Sequence, residues 1–321
     1  MKQVSLGSAG PTVPPIAIGT MYFGTLVPPN TAHDILDAAL DRDATFLDTA
    51  NTYAFWVDGG SGDESESVLG SWFRARPGAR DRIALATKIG ARPRPGSRSL
   101  DSTLGLSSPM VRAQVEESLR RLATDHLDVL YAHIDDTKVP LDETIGALQD
   151  EVVRGTVRAI GCSNITAARL DAALRAAAEG PGYVVVQQRF TYLTTAPGAD
   201  LSPHMLLDDD VIERATKHGL GLVGYSPLLS GAYTRAERAL PDAYRHRATS
   251  VQLAALADAS DATGLDAGQV VLSWMAGRAH PVIPVVGVSS RAQLLSAVES
   301  VSSRLPDDVM LELESARQVA P

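Results

Sequence analysis

Four side chains that can hold or pass protons stand at the ends of short apolar runs. Asp48 and Tyr53 close Thr45–Tyr53 (TFLDTANTY), Lys88 closes Ala84–Lys88 (ALATK) and His133 closes Leu127–His133 (LDVLYAH). A phenol with a pKa near 10 is a poor acid at neutral pH. An adjacent ammonium would stabilise the phenolate and make Tyr53 a better donor. Lys88 would supply that charge, and Asp48 would hold the lysine through a charge-assisted hydrogen bond. His133 would hydrogen-bond and orient a carbonyl oxygen. Together they would protonate an oxygen that gains negative charge. Taken singly, each has an ordinary alternative: a helix cap, a surface tyrosine, a snorkelling lysine, a structural histidine.

The elements that must position these groups alternate along the chain. Strands are expected at Ile16–Thr20, Thr45–Asp48, Arg82–Thr87, Leu127–His133, Ala159–Ser163, Val184–Gln187, Gly221–Tyr225 and Val282–Val286. Most are aliphatic runs without polar alternation, as in strands buried on both faces of a parallel sheet. Helical spacing marks Thr31–Asp41, Pro109–Leu122, Leu141–Val153, Thr166–Ala178, Asp208–His218, Ser250–Asp261, Asp266–Arg278 and Pro306–Arg317. Thr31 and Ser108 are expected N-caps. The pattern predicts an α/β protein, a single (β/α)8 TIM barrel over residues 1–321, with a doubly wound sheet as the rival. Residues before Ile16 would form a short β-hairpin closing the barrel bottom, and additional helices are expected near the C-terminus. In a barrel the four proton-handling groups fall on the C-terminal rim, where barrel enzymes place their chemistry. The long connections Ala54–Asp63, Gly90–Ser107 and Pro227–Thr249 share that rim and would shape a pocket. The alternative for Gly90–Ser107 is a disordered insertion.

Composition narrows the function further. Of 321 residues, 45% are hydrophobic and the formal net charge is −9, which argues against tracking a nucleic-acid backbone. The single cysteine, Cys162, permits no intrachain disulfide and fits a reducing, cytoplasmic setting. No apolar run reaches the length of a membrane span, and the start lacks a signal-peptide core. The seven histidines form no His-x-His pair, so no metal site is expected and a metal-dependent barrel hydrolase is disfavoured. No G-x-G-x-x-G follows the first strand, which disfavours a Rossmann-type dehydrogenase.

FLDTANTY, ATK and LYAH, in this order, resemble the Asp, Tyr, Lys and His motifs of the aldo-keto reductase superfamily, bacterial type. The resemblance runs along essentially the whole chain. The opening SLGSAGPTVPPIAIGTMYFG is similar to the family's hairpin and first strand. IGCSN (Ile160–Asn164), Val186-Gln187, GYSPL (Gly224–Leu228) and IPVVGVSSRAQ (Ile283–Gln293) resemble its cofactor segments. The resemblance implies reduction of an aldehyde or ketone to an alcohol, with hydride from NADPH, NADH being the lesser expectation. It implies Asp48, Tyr53, Lys88 and His133 as the catalytic tetrad, with Asp48 also near the cofactor. Ser163, Asn164 and Gln187 would hold the nicotinamide amide, and Tyr225 would stack on its ring. Gly19, Thr20 and Met21 would allow close approach, and Ser226 and Leu228 would line the pyrophosphate. Gly287, Ser289, Arg291 and Gln293 would meet the adenosine end, Arg291 facing a 2′-phosphate.

Some positions depart from the family pattern. Ser296 and Ala297 stand where many members carry Glu-Asn near the adenine. Val285, Val286 and Val288 replace the cation common in NADPH users, and Gln188, Arg189 and Phe190 replace Asn-Glu-Tyr. Phe23 and Trp56 are the expected pocket walls, and Arg92, Arg94 and Arg98 would attract an anionic substrate. The partner is thus a small carbonyl compound, its identity and the oligomeric state left open. The alternative function is a non-catalytic or weakly catalytic NADP(H)-binding regulatory protein on the same barrel.

Overall fold

The computed structural model describes residues 1–178 and 180–319. Eight parallel strands close into a barrel: β3 (Ala17–Gly19), β4 (Phe46–Asp48), β5 (Ala84–Ile89), β6 (Leu127–Ala132), β7 (Val157–Ser163), β8 (Tyr183–Arg189), β9 (Gly221–Tyr225) and β10 (Ile283–Gly287). β10 pairs with β3 to close the ring, Gly287 beside Gly19. The expected (β/α)8 barrel is therefore the fold. Successive strand residues point to opposite faces, and two apolar cores result. Ala17, Phe46, Ala86, Val129, Val185, Val223 and Ile283 fill the lumen. Their alternates Ile18, Leu47, Leu85, Leu130, Val186, Leu222 and Val286 pack outward against the helices.

An antiparallel hairpin, β1 (Val4–Ser5) and β2 (Thr12–Val13), closes the bottom as expected. Leu6, fully buried, joins the lumen core as its plug. Gly7 (φ +77°) allows the contact, since a Cβ there would lie 2.2 Å from the Val184 carbonyl oxygen. Ser8 N–H donates to the Gly219 carbonyl at 2.7 Å.

Ten α-helices are assigned among the described residues, including the two that matter most for the site: α2 (Glu64–Ala75) and α3 (Ser108–Leu122). The sequence reading passed over α2, although Val68, Leu69, Trp72 and Phe73 lie at helical spacing after an acidic first turn. Its Gly70 lets α2 press on α3, because a Cβ would stand 2.0 Å from the Arg121 carbonyl oxygen. Two caps differ from expectation. The first helix, α1 (Pro29–Asp41), begins before Thr31, with Pro28 at the cap and Pro29 supplying the pre-set φ. Ser107 rather than Ser108 takes the N-cap position of α3, and its side chain makes no cap bond. The expected strand Arg82–Thr87 is displaced: Arg80–Arg82 form a 3-10 turn and β5 runs on through Lys88 to Ile89.

Candidate functional site

Strand parity explains the rim. Phe46 points into the lumen, so Asp48 two residues on does as well. The same step takes Ala86 to Lys88, Tyr131 to His133, Val185 to Gln187 and Val223 to Tyr225. The upper layer of the lumen is therefore polar where the layer beneath is apolar.

Lys88 (1% exposed) and Asp48 (0%) form a buried ion pair through Lys88 Nζ and Asp48 Oδ1. Lys88 Nζ also donates to the Tyr53 hydroxyl at 2.6 Å and to the Thr49 carbonyl at 3.0 Å, using all three ammonium hydrogens. The Tyr53 hydroxyl donates to Asp48 Oδ1 at 3.1 Å, and Gln187 Nε2 donates to Asp48 Oδ2 at 2.7 Å. The His133 ring meets the Tyr53 ring edge-on, centroids 5.9 Å apart. The four groups proposed from sequence thus share one cluster.

The protonation balance differs from the sequence expectation in one respect. Burial, reinforced by the Asp48 carboxylate, pushes the Tyr53 phenol well above its ordinary 10. The ammonium at 2.6 Å does not bring it down, because burial penalises the phenolate and the Asp48 carboxylate, 3.1 Å away, opposes its charge. Burial also lowers Lys88, although Asp48 opposes this. His133 is driven well below 6.5 by burial and then by the Lys88 charge, so its imidazole is neutral at pH 7. Its Nδ1 is buried without a hydrogen-bond partner.

The remaining rim residues divide by how much of their polarity is already spent. Asn164, held at φ +50°, uses its whole amide. Nδ2 donates to the His133 carbonyl (2.9 Å) and Ser163 Oγ (3.0 Å), while Oδ1 accepts from the Tyr225 hydroxyl (2.7 Å) and Met205 N–H (3.0 Å). The Thr20 hydroxyl is buried against the Asp48 carbonyl and Ser65, a brace under β4. Gly19 ends β3, and Met21 and Ser226 are half-buried on the rim. Leu228 packs against the outer core. Gly287 ends β10, and a Cβ there meets nothing within 4 Å. Beside it Ser289, Arg291 and Gln293 are exposed at the start of the helix Arg291–Ser302, with Gln293 Oε1 accepting from Ser289 N–H at 2.8 Å. This open cradle at a helix N-terminus suits a phosphate-bearing group. Of the expected pocket walls, Trp56 is 49% exposed and packs edge-on to Phe55. Phe23 is corrected: it is 1% exposed within the outer core, tucked there by the short bridge to Val27.

Sequence reasoning missed the supports behind the rim. Glu66, fully buried, accepts from Thr87 Oγ1 (2.6 Å) and Arg121 Nε (2.7 Å), tying α2 to β5 and α3. Gln114 Oε1 accepts from Asn51 Nδ2 (3.1 Å) and Gly90 N–H (3.0 Å). Arg92, expected to attract substrate, instead bonds Asp63 Oδ1 (2.6 Å) and the Asn51 carbonyl. The loop it starts is ordered, with Arg94 N–H bonding Ser102 and Leu104 N–H bonding the Arg92 carbonyl. The acidic first turn of α2 was the available signal. Cys162 is buried, and burial raises its thiol pKa.

A parallel barrel carrying a buried lysine–carboxylate pair under a rim phenol is an enzyme-like arrangement on the face where barrels work. The aldo/keto reductase family model matches residues 15–318, and the chain belongs to that family. It is 30% identical to "Uncharacterized oxidoreductase YrpG" of Bacillus subtilis (strain 168), over 97% of this chain and 94% of that protein. It is 30% identical to "6-dehydroglucose reductase" of Novosphingobium aromaticivorans, over 93% and 90% respectively. "Norsolorinic acid reductase stcV" of Emericella nidulans is 28% identical over 95% of this chain and 79% of its own length. Family and relatives together mark a carbonyl-reducing oxidoreductase of a family that uses NAD(P)H. Among the described residues no helix is long and apolar enough to cross a membrane.

Proposed function

We propose that the chain reduces an aldehyde or ketone to an alcohol, with Tyr53 as proton donor and NADPH preferred to NADH. The observation that carries this reading is the Tyr53 hydroxyl, 2.6 Å from Lys88 Nζ at the barrel mouth. The cofactor's nicotinamide would supply the hydride. Tyr53 would give its proton to the substrate oxygen as charge develops there. Lys88 then stabilises the phenolate left behind, and Asp48, held by Gln187, keeps the ammonium in place. A phenol raised by burial stays protonated in the resting site, so the donor is loaded across the neutral range. The neutral His133 imidazole is too weak an acid to compete. Its role is to bond the carbonyl oxygen and fix its direction.

Ser163, Asn164 and Gln187 would hold the nicotinamide amide, with Tyr225 offering a ring face. Asn164 would exchange its bond from the Tyr225 hydroxyl for the cofactor amide, since its own amide is fully engaged. Arg291, exposed and without an ion pair among the described residues, would meet the 2′-phosphate. Trp56 would wall the substrate side. Tyr53→Phe removes the donor but leaves the Lys88–Asp48 pair. Carbonyl turnover should fall by about 10²–10⁴ while NADPH still quenches tryptophan fluorescence. Unchanged turnover would remove Tyr53 from the chemistry.

A further inference from the structure

A cavity of about 590 Å³ lies between the Gly90–Ser107 loop, the loop leading into α2, and α3. None of Asp48, Tyr53, Lys88 or His133 lines it, so it is separate from the reductase site. Five arginines do: Arg92, Arg94, Arg98, Arg120 and Arg121. In a chain of formal charge −9 this is a local reversal of sign. Two carboxylates share the wall, Asp63 and Glu117, and both are bonded to Arg121, with Asp63 also taking Arg92. Arg94, Arg98 and Arg120 are exposed, and among the described residues none of them has a carboxylate within ion-pair distance. Arg98 donates to the Val57 carbonyl at 3.3 Å. Arg121 is a second, independent pointer. Its side chain is 6% exposed, Nε and Nη1 are engaged by Glu66, Asp63 and Glu117, and Nη2 is buried with no partner among the described residues.

We propose that this cavity is a second binding site, for a small organic phosphate. Guanidinium forks match phosphate oxygens, and exposed, unpaired arginines keep that capacity available. The volume exceeds what inorganic phosphate needs and falls in the range of small-molecule sites. Phe55, Leu104 and Met110 supply an apolar wall for the organic part. The site also touches the frame of the catalytic loop. Arg92 holds the Asn51 carbonyl, and Asn51 N–H donates to the Lys88 carbonyl at 3.0 Å. An occupant bridging Arg94 and Arg120 therefore clamps Gly90–Ser107 onto α3, beside the segment that carries Tyr53.

The test is calorimetric titration of the full chain with phenyl phosphate, phenol serving as the uncharged control, with and without saturating NADPH. Phenyl phosphate should bind in both conditions and phenol in neither. Arg94→Ser combined with Arg120→Ser should weaken binding by about tenfold or more and leave NADPH affinity unchanged. Amide hydrogen exchange on the native protein should slow in Gly90–Ser107 when phenyl phosphate is present. Binding that disappears with NADPH present, survives the double substitution, or protects Ile283–Gln293 instead would overturn the proposal, as would no heat with phenyl phosphate. The two-condition design keeps a failure of the cofactor assignment distinct from a failure of this site.

Discussion

Lys88→Met offers the sharpest test of how the site is held. The substitution keeps the side chain's length and removes the ammonium from a position 1% exposed, leaving the carboxylate of Asp48 buried at 0%. Removing one partner of a buried pair costs about 3–5 kcal/mol, because the other charge stays desolvated. The carboxyl can escape by taking a proton, which sets a ceiling. With an ordinary unfolded pKa of about 3.9, protonation at pH 7 costs about 4 kcal/mol and at pH 5 about 1.5 kcal/mol. The Thr49 carbonyl and Tyr53 hydroxyl also lose their donor, adding about 1 kcal/mol at either pH. The expected destabilisation is thus about 4–5 kcal/mol at pH 7 and about 2–3 kcal/mol at pH 5. In the variant the penalty comes from the unpaired buried charge, so it is present at high pH and relieved as pH falls and the charge is neutralised. Urea denaturation of wild type and variant at the two pH values measures it. A loss below about 1 kcal/mol at pH 7, or one that does not change with pH, would mean Asp48 is solvated and the reasoning is wrong. Adding Asp48→Asn should restore most of the loss.

Two further outcomes are expected. His133 is neutral in the folded protein but takes a proton below 6.5 when unfolded, so stability drops as pH falls below that value, by up to about 1.4 kcal/mol per pH unit. His133→Asn should flatten the slope by one proton, with His204, also lowered by burial, continuing to contribute; an unchanged slope would remove His133 as the source. Arg291→Ala should weaken NADPH binding about tenfold and leave NADH binding unaltered in a fluorescence titration; equal effects on both would remove Arg291 from the 2′-phosphate.

The barrel and the tetrad were legible because both rest on short-range signals. An apolar run that ends on an ionisable side chain marks a strand's rim end, so Asp48, Lys88 and His133 could be placed together from the runs they close, whereas Gln187 came only from the family resemblance. The supports were not legible, because their partners lie far apart in sequence. Glu66 and Arg121 are 55 residues apart, and nothing local announces that they meet. Phe23 misled for a related reason: an aromatic after a strand reads as a rim residue, whereas the turn to Val27 folds it back into the core. The direction of the Tyr53 shift is set first by its burial and then by the Asp48 carboxylate 3.1 Å away, neither of which a sequence displays.

The hairpin plug has a bearing on how the chain is made. Leu6 is synthesised before every strand of the barrel, yet its socket needs β8 and β9, and the bond from Ser8 needs Gly219. During synthesis the hairpin segment must therefore wait without its socket until β9 has emerged. The barrel ring closes later still, when Val285 to Gly287 reach Ala17 to Gly19. Contacts of such long sequence separation form late and leave aggregation-prone edges exposed meanwhile. The bottom of the molecule, remote from its chemistry, is thus completed only after most of the barrel strands exist.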